Sequence, residues 1–294
     1  MQKEALSFFE WQEKFNNDEA CREHLGQERW KNGFQCPECG HDYAHWLPSR
    51  GLFQCNGCHK QTSVTAGTLF HSTKLPLKKW YWAIYLVASD KGGVSALRLS
   101  KLIGVSWPTA RLMLTKLREA MGDRDSIYRL SDWIEVDDAF VGGKRAGKRG
   151  RGAEGKTPVL VACENRGEKA GFIAMTAVDN VDKKAVQDFS SRRLHEDQYI
   201  ATDAYPSLKV LDETQHHMPR VTPPEKVDEW LPWVHIVISN FKRFILGTYH
   251  GVSTRHMQEY INEFCYRFNR RQWEFQIPSR LLAACAVHLP IKTC

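Results

Sequence analysis

Apolar side chains recur at helical intervals along the first part of the chain. Phe8, Phe9, Trp11, Phe15, Cys21 and Leu25 stand among charged residues, so the spacing predicts helix over 8–30. Turn formers then take over, with Gly33, Pro37 and Gly40 first and Asn56 and Gly57 later. Between them, 44–47 and 51–54 read as short strands around a turn at 48–50. From 77 to 121 the period is helical again, broken at Gly92, Gly93 and Gly104. It then changes to strands over 133–140, 158–163 and 171–178. Asp182 is placed to cap a helix over 182–194, and 199–202 is a short apolar strand ending at Asp203. Residues 216–232 contain four prolines and predict a loop or small insertion. Helices follow over 234–246 and 253–269.

Composition bounds the class. The chain has 294 residues, 42% hydrophobic and 26% charged, enough to bury a core without disulfide staples. The pattern divides it into 1–75, 76–125 and 126–294. The longest apolar run, at 80–88, is far shorter than the roughly 20 residues that span a bilayer. The N-terminus lacks the basic-then-apolar pattern of a secretory signal. The expectation is a cytoplasmic protein with no membrane partner. Lysine and arginine number 41 against 34 acids, a net charge of +7, which points to a polyanion only where the charge is clustered.

Cysteine spacing is the sharpest signal. Of nine cysteines, Cys36 and Cys39 form one Cys-x-x-Cys pair, and Cys55 and Cys58 form another after fifteen intervening residues. Each pair can aim two thiolates at one tetrahedral ion, and a short hairpin brings the pairs together. The spacing therefore predicts a zinc ribbon whose closed four-thiolate Zn²⁺ is structural.

Residues 95–118 have the punctuation of a helix-turn-helix. Gly104 suits the turn, Ser106 an N-cap and Pro108 the first turn of the second helix. Leu112, Leu114 and Leu117 are expected to pack inward. Trp107, Thr109, Arg111, Lys116 and Arg118 are expected to face a DNA groove or phosphate chain. The plainer alternative is a helical hairpin with solvated cations.

The segment 134–143 is an apolar strand with acids embedded in it: Glu135, Asp137 and Asp138. A carboxylate buried in a strand is costly unless a cation or hydrogen bonds compensate. Asp203 ends a second apolar strand. Two such strands with a meander and a helix between them describe an RNase H-like mixed sheet, in which Asp137 and Asp203 can share Mg²⁺ or Mn²⁺. Asp138 points to the opposite face by strand alternation. Strand-end caps or salt bridges are the alternative for both acids. The loop joining the first two strands carries Lys144, Arg145, Lys148, Arg149, Arg151 and Lys156 among glycines, a positive arm suited to a phosphate backbone.

Taken together, the zinc ribbon, the helix-turn-helix segment, the acids at 135–138, Asp203, His235 with Asn240, the run Gly247, Thr248, Tyr249, His250 and the arginine-rich 264–271 closely resemble bacterial insertion-sequence transposases of the DDE type with an N-terminal zinc ribbon. The resemblance covers about Phe8 to Arg271. It implies an α/β, multidomain protein: an RNase H-like catalytic core at 126–294 preceded by the ribbon and a helix-turn-helix. It further implies Mg²⁺-dependent cleavage and strand transfer on terminal inverted repeats and target DNA, by a homodimer or higher oligomer. The first two catalytic positions fall on Asp137 and Asp203. The third, usually Glu, falls on Asn240, as in a side branch of the family. Lys242 and Arg243 follow it and are suited to a DNA phosphate. Glu225, Glu229, Glu259 and Glu263 are rival third ligands. Two other functions stay open: a zinc-ribbon DNA-binding regulator and a catalytically dead domesticated copy.

Overall fold

The computed structural model describes residues 5–47, 50–142, 155–223 and 227–290. The chain packs as two units, Met1–Ala120 with Trp273–Cys294, and Met121–Gln272. No helix among the described residues is long and apolar enough to cross a membrane.

In the first unit the N-terminal helical pattern forms two helices, α1 (Phe8–Lys14) and α2 (Asp18–Arg29), where one was expected. The break is made by Asn17, whose side chain accepts the Ala20 N–H at 2.9 Å and caps α2. Strands β1 (Ala44–Leu47), β2 (Leu52–Cys55) and β3 (Gln61–Ser63) pair antiparallel in that order, adding one strand to the expected hairpin. Helix α3 (Leu77–Ser89) buries Trp80, Tyr81, Ile84 and Val87. Helix α4 (Ala96–Ile103) ends at Gly104, whose φ of +61° is the left-handed conformation that glycine adopts without strain. Ser106 then accepts from the Thr109 N–H and opens α5 (Trp107–Ser126).

Two expectations about α5 are corrected. Leu112 is exposed and Arg118 is completely buried. The buried stripe is Ala110, Met113, Leu114, Leu117 and Met121. Arg118, one turn after Leu114, lies inside that stripe, whereas Leu112 falls outside it.

The second unit is built on a five-stranded sheet, ordered β6-β5-β4-β7-β8. Strands β4 (Trp133–Val141), β5 (Thr157–Asn165) and β6 (Ala170–Ala177) form an antiparallel meander, and β7 (Tyr199–Thr202) runs parallel to β4. This is an RNase H-like mixed sheet. Helix α6 (Lys183–Arg193), capped by Asp182 as predicted, joins β6 to β7. The expected loop at 216–232 is corrected. It begins with β8 (His216–Pro219), a parallel edge strand on β7, and contains α7 (Val227–Trp230). Its histidines and proline hide the strand because an edge needs no alternation, and Pro219 stands at its last position.

Helix α8 (Pro232–Phe244) ends in a wide π turn, Ile245–Tyr249, and His250 follows with φ of +57°. Helix α9 (Met257–Phe268) packs beside it. The two cover one face of the sheet with Val234, Val237, Phe241, Ile261 and Phe264. The other face is covered by α6 and the 3-10 turn Pro206–Glu213. Ile236, though apolar, is exposed on α8.

The arginines at the end of α9 serve the fold. Arg270 pairs with buried Asp125 at 2.6 Å, Arg267 with Glu263 at 3.6 Å, and Arg271 donates to the carbonyls of Ala170, Gly171 and Phe268. The chain then returns to the first unit as α10 (Ile277–Val287), which packs on α2 and α3.

Candidate active site and metal centre

The ribbon brings its four cysteines together. The sulfurs of Cys36, Cys39, Cys55 and Cys58 all lie within 4.8 Å of one another, with Cys36 to Cys58 and Cys39 to Cys55 each 3.6 Å. Tetrahedral ligation at the usual Zn–S length sets sulfurs about 3.8 Å apart, so the cluster fits a structural zinc. The local chain makes this possible. Each Cys-x-x-Cys turn is followed by a left-handed residue, Gly40 at φ +73° and His59 at φ +60°. The Gly57 N–H also points at Cys55 Sγ, at 3.3 Å.

The second site is built on β4, β7 and α8. Val136 pairs with Thr202 at the end of the parallel register, and Asp137 and Asp203 are the residues that follow them. Strand alternation gives Asp137 the parity of Ala139, on the α8 side of the sheet, where Ala201 also packs. Asp138 has the parity of Ile134 and Val136, on the α6 side. Asp203 Oδ1 accepts the Tyr205 N–H at 3.2 Å, so a short turn begins at that carboxylate.

Helix α8 meets Asp137 through His235, whose Nε2 lies 3.3 Å from Asp137 Oδ2. Lys242 stands two turns later on the same stripe. Desolvation, then nearby Lys156, lowers its ammonium from the ordinary range, and Asp137 pulls it back up. Two cations thus stand near a carboxylate where a phosphate chain would be drawn. Asn240 is half-buried and lies about 140° round the helix from His235. Ser239, by contrast, shares the His235–Lys242 stripe. Among the rival acids, Glu259 is bonded to His256 at 2.9 Å and Glu263 is buried against Arg267. Glu229 is exposed, and Glu225 lies outside the described residues.

The remaining DNA-binding expectations divide. Arg111 is half-buried and donates to Thr115 Oγ1 at 2.5 Å, and desolvation lowers the half-buried Lys116 below its ordinary value. Arg243 is exposed. Lys144, Arg145, Lys148, Arg149 and Arg151 lie outside the described residues.

Two groups had no assigned role in the sequence reading. Glu135 is fully buried, and its Oε2 accepts the backbone N–H groups of Trp233 and Val234 at 2.9 and 2.8 Å, closing the start of α8. Its signal, an acid inside an apolar strand, was visible, but its partner was not. His217, in the stretch read as a loop, is the other.

Known proteins share both regions. Residues 129–269 match the family described as ISXO2-like transposase domain, and residues 16–61 match the transposase zinc-ribbon domain. The chain belongs to the insertion-sequence transposases with an N-terminal zinc ribbon. It is 27% identical over 208 residues to a Halobacterium salinarum protein described as "Uncharacterized protein in transposable element ISH50", covering 64% of this chain and 68% of that one.

Proposed function

We propose that this transposase cuts DNA at the ends of its insertion sequence and joins the freed ends to target DNA, with Asp137 and Asp203 as the pair of carboxylates that hold a divalent ion. The observation that supports this reading is the β4–β7 register, whose last pair, Val136 with Thr202, is followed by an acid on each side, Asp137 and Asp203. Their hard oxygen donors suit Mg²⁺ or Mn²⁺. Such an ion, when bound, supplies an activated attacking oxygen and neutralises charge on the departing one.

The chain's own groups do the rest. His235 orients the Asp137 carboxylate, while Lys242, Lys156 and Arg243 hold the strand's phosphates. Asn240 is the third oxygen donor in this reading. Its place on the helix that crosses Asp137 supports that role, and its offset from His235 is what the role has to overcome. The ribbon and the 95–118 segment, with Arg111 and Lys116, bind the terminal inverted repeats, joined by the arm at 144–156. Two or more copies act together, one for each end.

The test is cleavage of a labelled terminal repeat in Mg²⁺. Asp137→Ala and Asp203→Ala should each abolish cleavage and leave binding of the repeat intact. Cleavage retained by either variant would return the chain to a DNA-binding regulator or another active centre.

A further inference from the structure

Strand β8 carries a buried histidine that the reaction above does not use. His217 has a side chain only 1% exposed. Its Nδ1 lies 2.6 Å from Asp212 Oδ1, and its Nε2 lies 2.8 Å from Thr202 Oγ1. Thr202 is fully buried and immediately precedes Asp203. The same Thr202 hydroxyl donates to the carbonyl of Asp203 at 2.5 Å.

These contacts run without a break from Asp212 through His217 and Thr202 to the Asp203 carbonyl. The Thr202 carbonyl is held as well, by Trp230 Nε1 at 2.8 Å and the Arg220 N–H at 3.1 Å. The carbonyls of Thr202 and Asp203 are therefore both tied down, at the acid that must stand beside Asp137.

We propose that His217 is a positioning residue: the line Asp212, His217, Thr202 fixes the backbone of Asp203 and so holds its carboxylate in register with Asp137. This inference rests on the reading of Asp203 as a metal-holding residue. Outer partners of metal ligands typically change metal affinity by roughly 10- to 100-fold when removed. His217 acts one bond further out, so an effect near the lower end of that range is expected.

The experiment uses the full zinc-loaded chain without DNA and measures Mn²⁺ binding by electron spin resonance, alongside thermal unfolding. His217→Ala and Thr202→Val should each weaken Mn²⁺ binding by about 10-fold, and Thr202→Ser should restore it because it keeps the hydroxyl. Asp212→Asn provides a variant at a largely exposed side chain that keeps the fold and should weaken binding less. An unchanged Mn²⁺ affinity in folded Asp212→Asn and Thr202→Val protein would overturn the proposal, as would a loss that Thr202→Ser does not rescue. Asp203→Ala separates the two readings. If it removes Mn²⁺ binding while the His217 series does nothing, the positioning role fails alone. If Asp203→Ala leaves binding intact, both fail.

Discussion

The carboxylate of Glu135, on the central strand of the second unit, accepts the backbone N–H of Val234 at 2.8 Å, and the same oxygen accepts that of Trp233. Pro232 opens this helix, and Leu231 at its N-cap supplies no capping side chain. A carboxylate from the sheet takes that place, where it also meets the positive end of the helix dipole. Its other oxygen accepts from Asn165 Nδ2 at 2.8 Å. Glu135 lies two positions before Asp137, and Val234 lies directly before His235, so one interaction sets the height of α8 over the acids.

Burial raises the Glu135 carboxyl above its ordinary range, and the two backbone N–H groups pull against that rise without cancelling it. A raised folded-state value means the protonated form is the one the fold prefers. Its contribution to stability is full below the unfolded value of about 4.3 and declines as pH climbs through the folded-state value. Glu135→Gln keeps an acceptor without the charge, so it should stay within about 1 kcal/mol of the parent and lose that decline. Glu135→Ala strands two helix N–H groups and the Asn165 amide, at about 1–3 kcal/mol for each buried group left unpaired. Urea unfolding across the acid range measures both variants. Equal stability of the Ala and Gln variants would remove Glu135 from this role.

Zinc analysis of the purified chain should return about one ion per chain, since a closed site of four thiolates holds one. Cys36→Ser should lose that zinc and the order of β1–β3. The second unit holds Asp137 and Asp203 within its own residues, so binding of terminal DNA should fail while the sheet of that unit stays folded. Hydrogen exchange resolves the two units in one measurement. Full zinc retained in Cys36→Ser would refute the ribbon.

Legibility in the sequence followed the range of the interaction. The cysteine pairs, the Asp182 cap and the strands of β4 to β7 are written in local spacing, and each was predicted to within a residue or two. Asp137 and Asp203 stand out because an acid inside or just after an apolar strand leaves a local mark. What remained hidden depends on partners far along the chain. Arg118 looks like a surface cation until neighbouring helical residues pack around it. The arginines at 267–271 mark the resemblance by composition alone, and the sequence does not show that their partners are Asp125, Glu263 and carbonyls of β6. Strand β8 owes its existence to the open edge of β7 and to little in its own composition.

Salt dependence checks which cations reach DNA. Lys242→Ala and Lys156→Ala should each lower the slope of log affinity against log salt by about 1, as expected for one phosphate contact apiece. Arg118→Ala should leave the slope unchanged and lower the unfolding midpoint, because its side chain is buried in the first unit. A reduced slope in folded Arg118→Ala protein would contradict its placement.

The third role at the metal is tested on α8 itself. Asn240 supplies a neutral oxygen, which binds a hard cation more weakly than a carboxylate does, so a site that uses it should need more Mg²⁺ than three acids would. Asn240→Ala should therefore reduce end cleavage strongly across a Mg²⁺ titration, and Asn240→Asp should keep part of the activity at a lower Mg²⁺ requirement. The helix makes the opposite result equally readable. His235, Ser239 and Lys242 form the stripe that meets Asp137, while Asn240 lies about 140° away. If Asn240→Ala cleaves normally and Ser239→Ala or His235→Ala does not, the third contact belongs to that stripe. If none of the three matters, Glu259 is tested next, together with a His256→Ala control that frees the carboxylate from its 2.9 Å partner. End cleavage that falls only in the Asn240 variants, with terminal DNA still bound, would establish Asp137, Asp203 and Asn240 as one set.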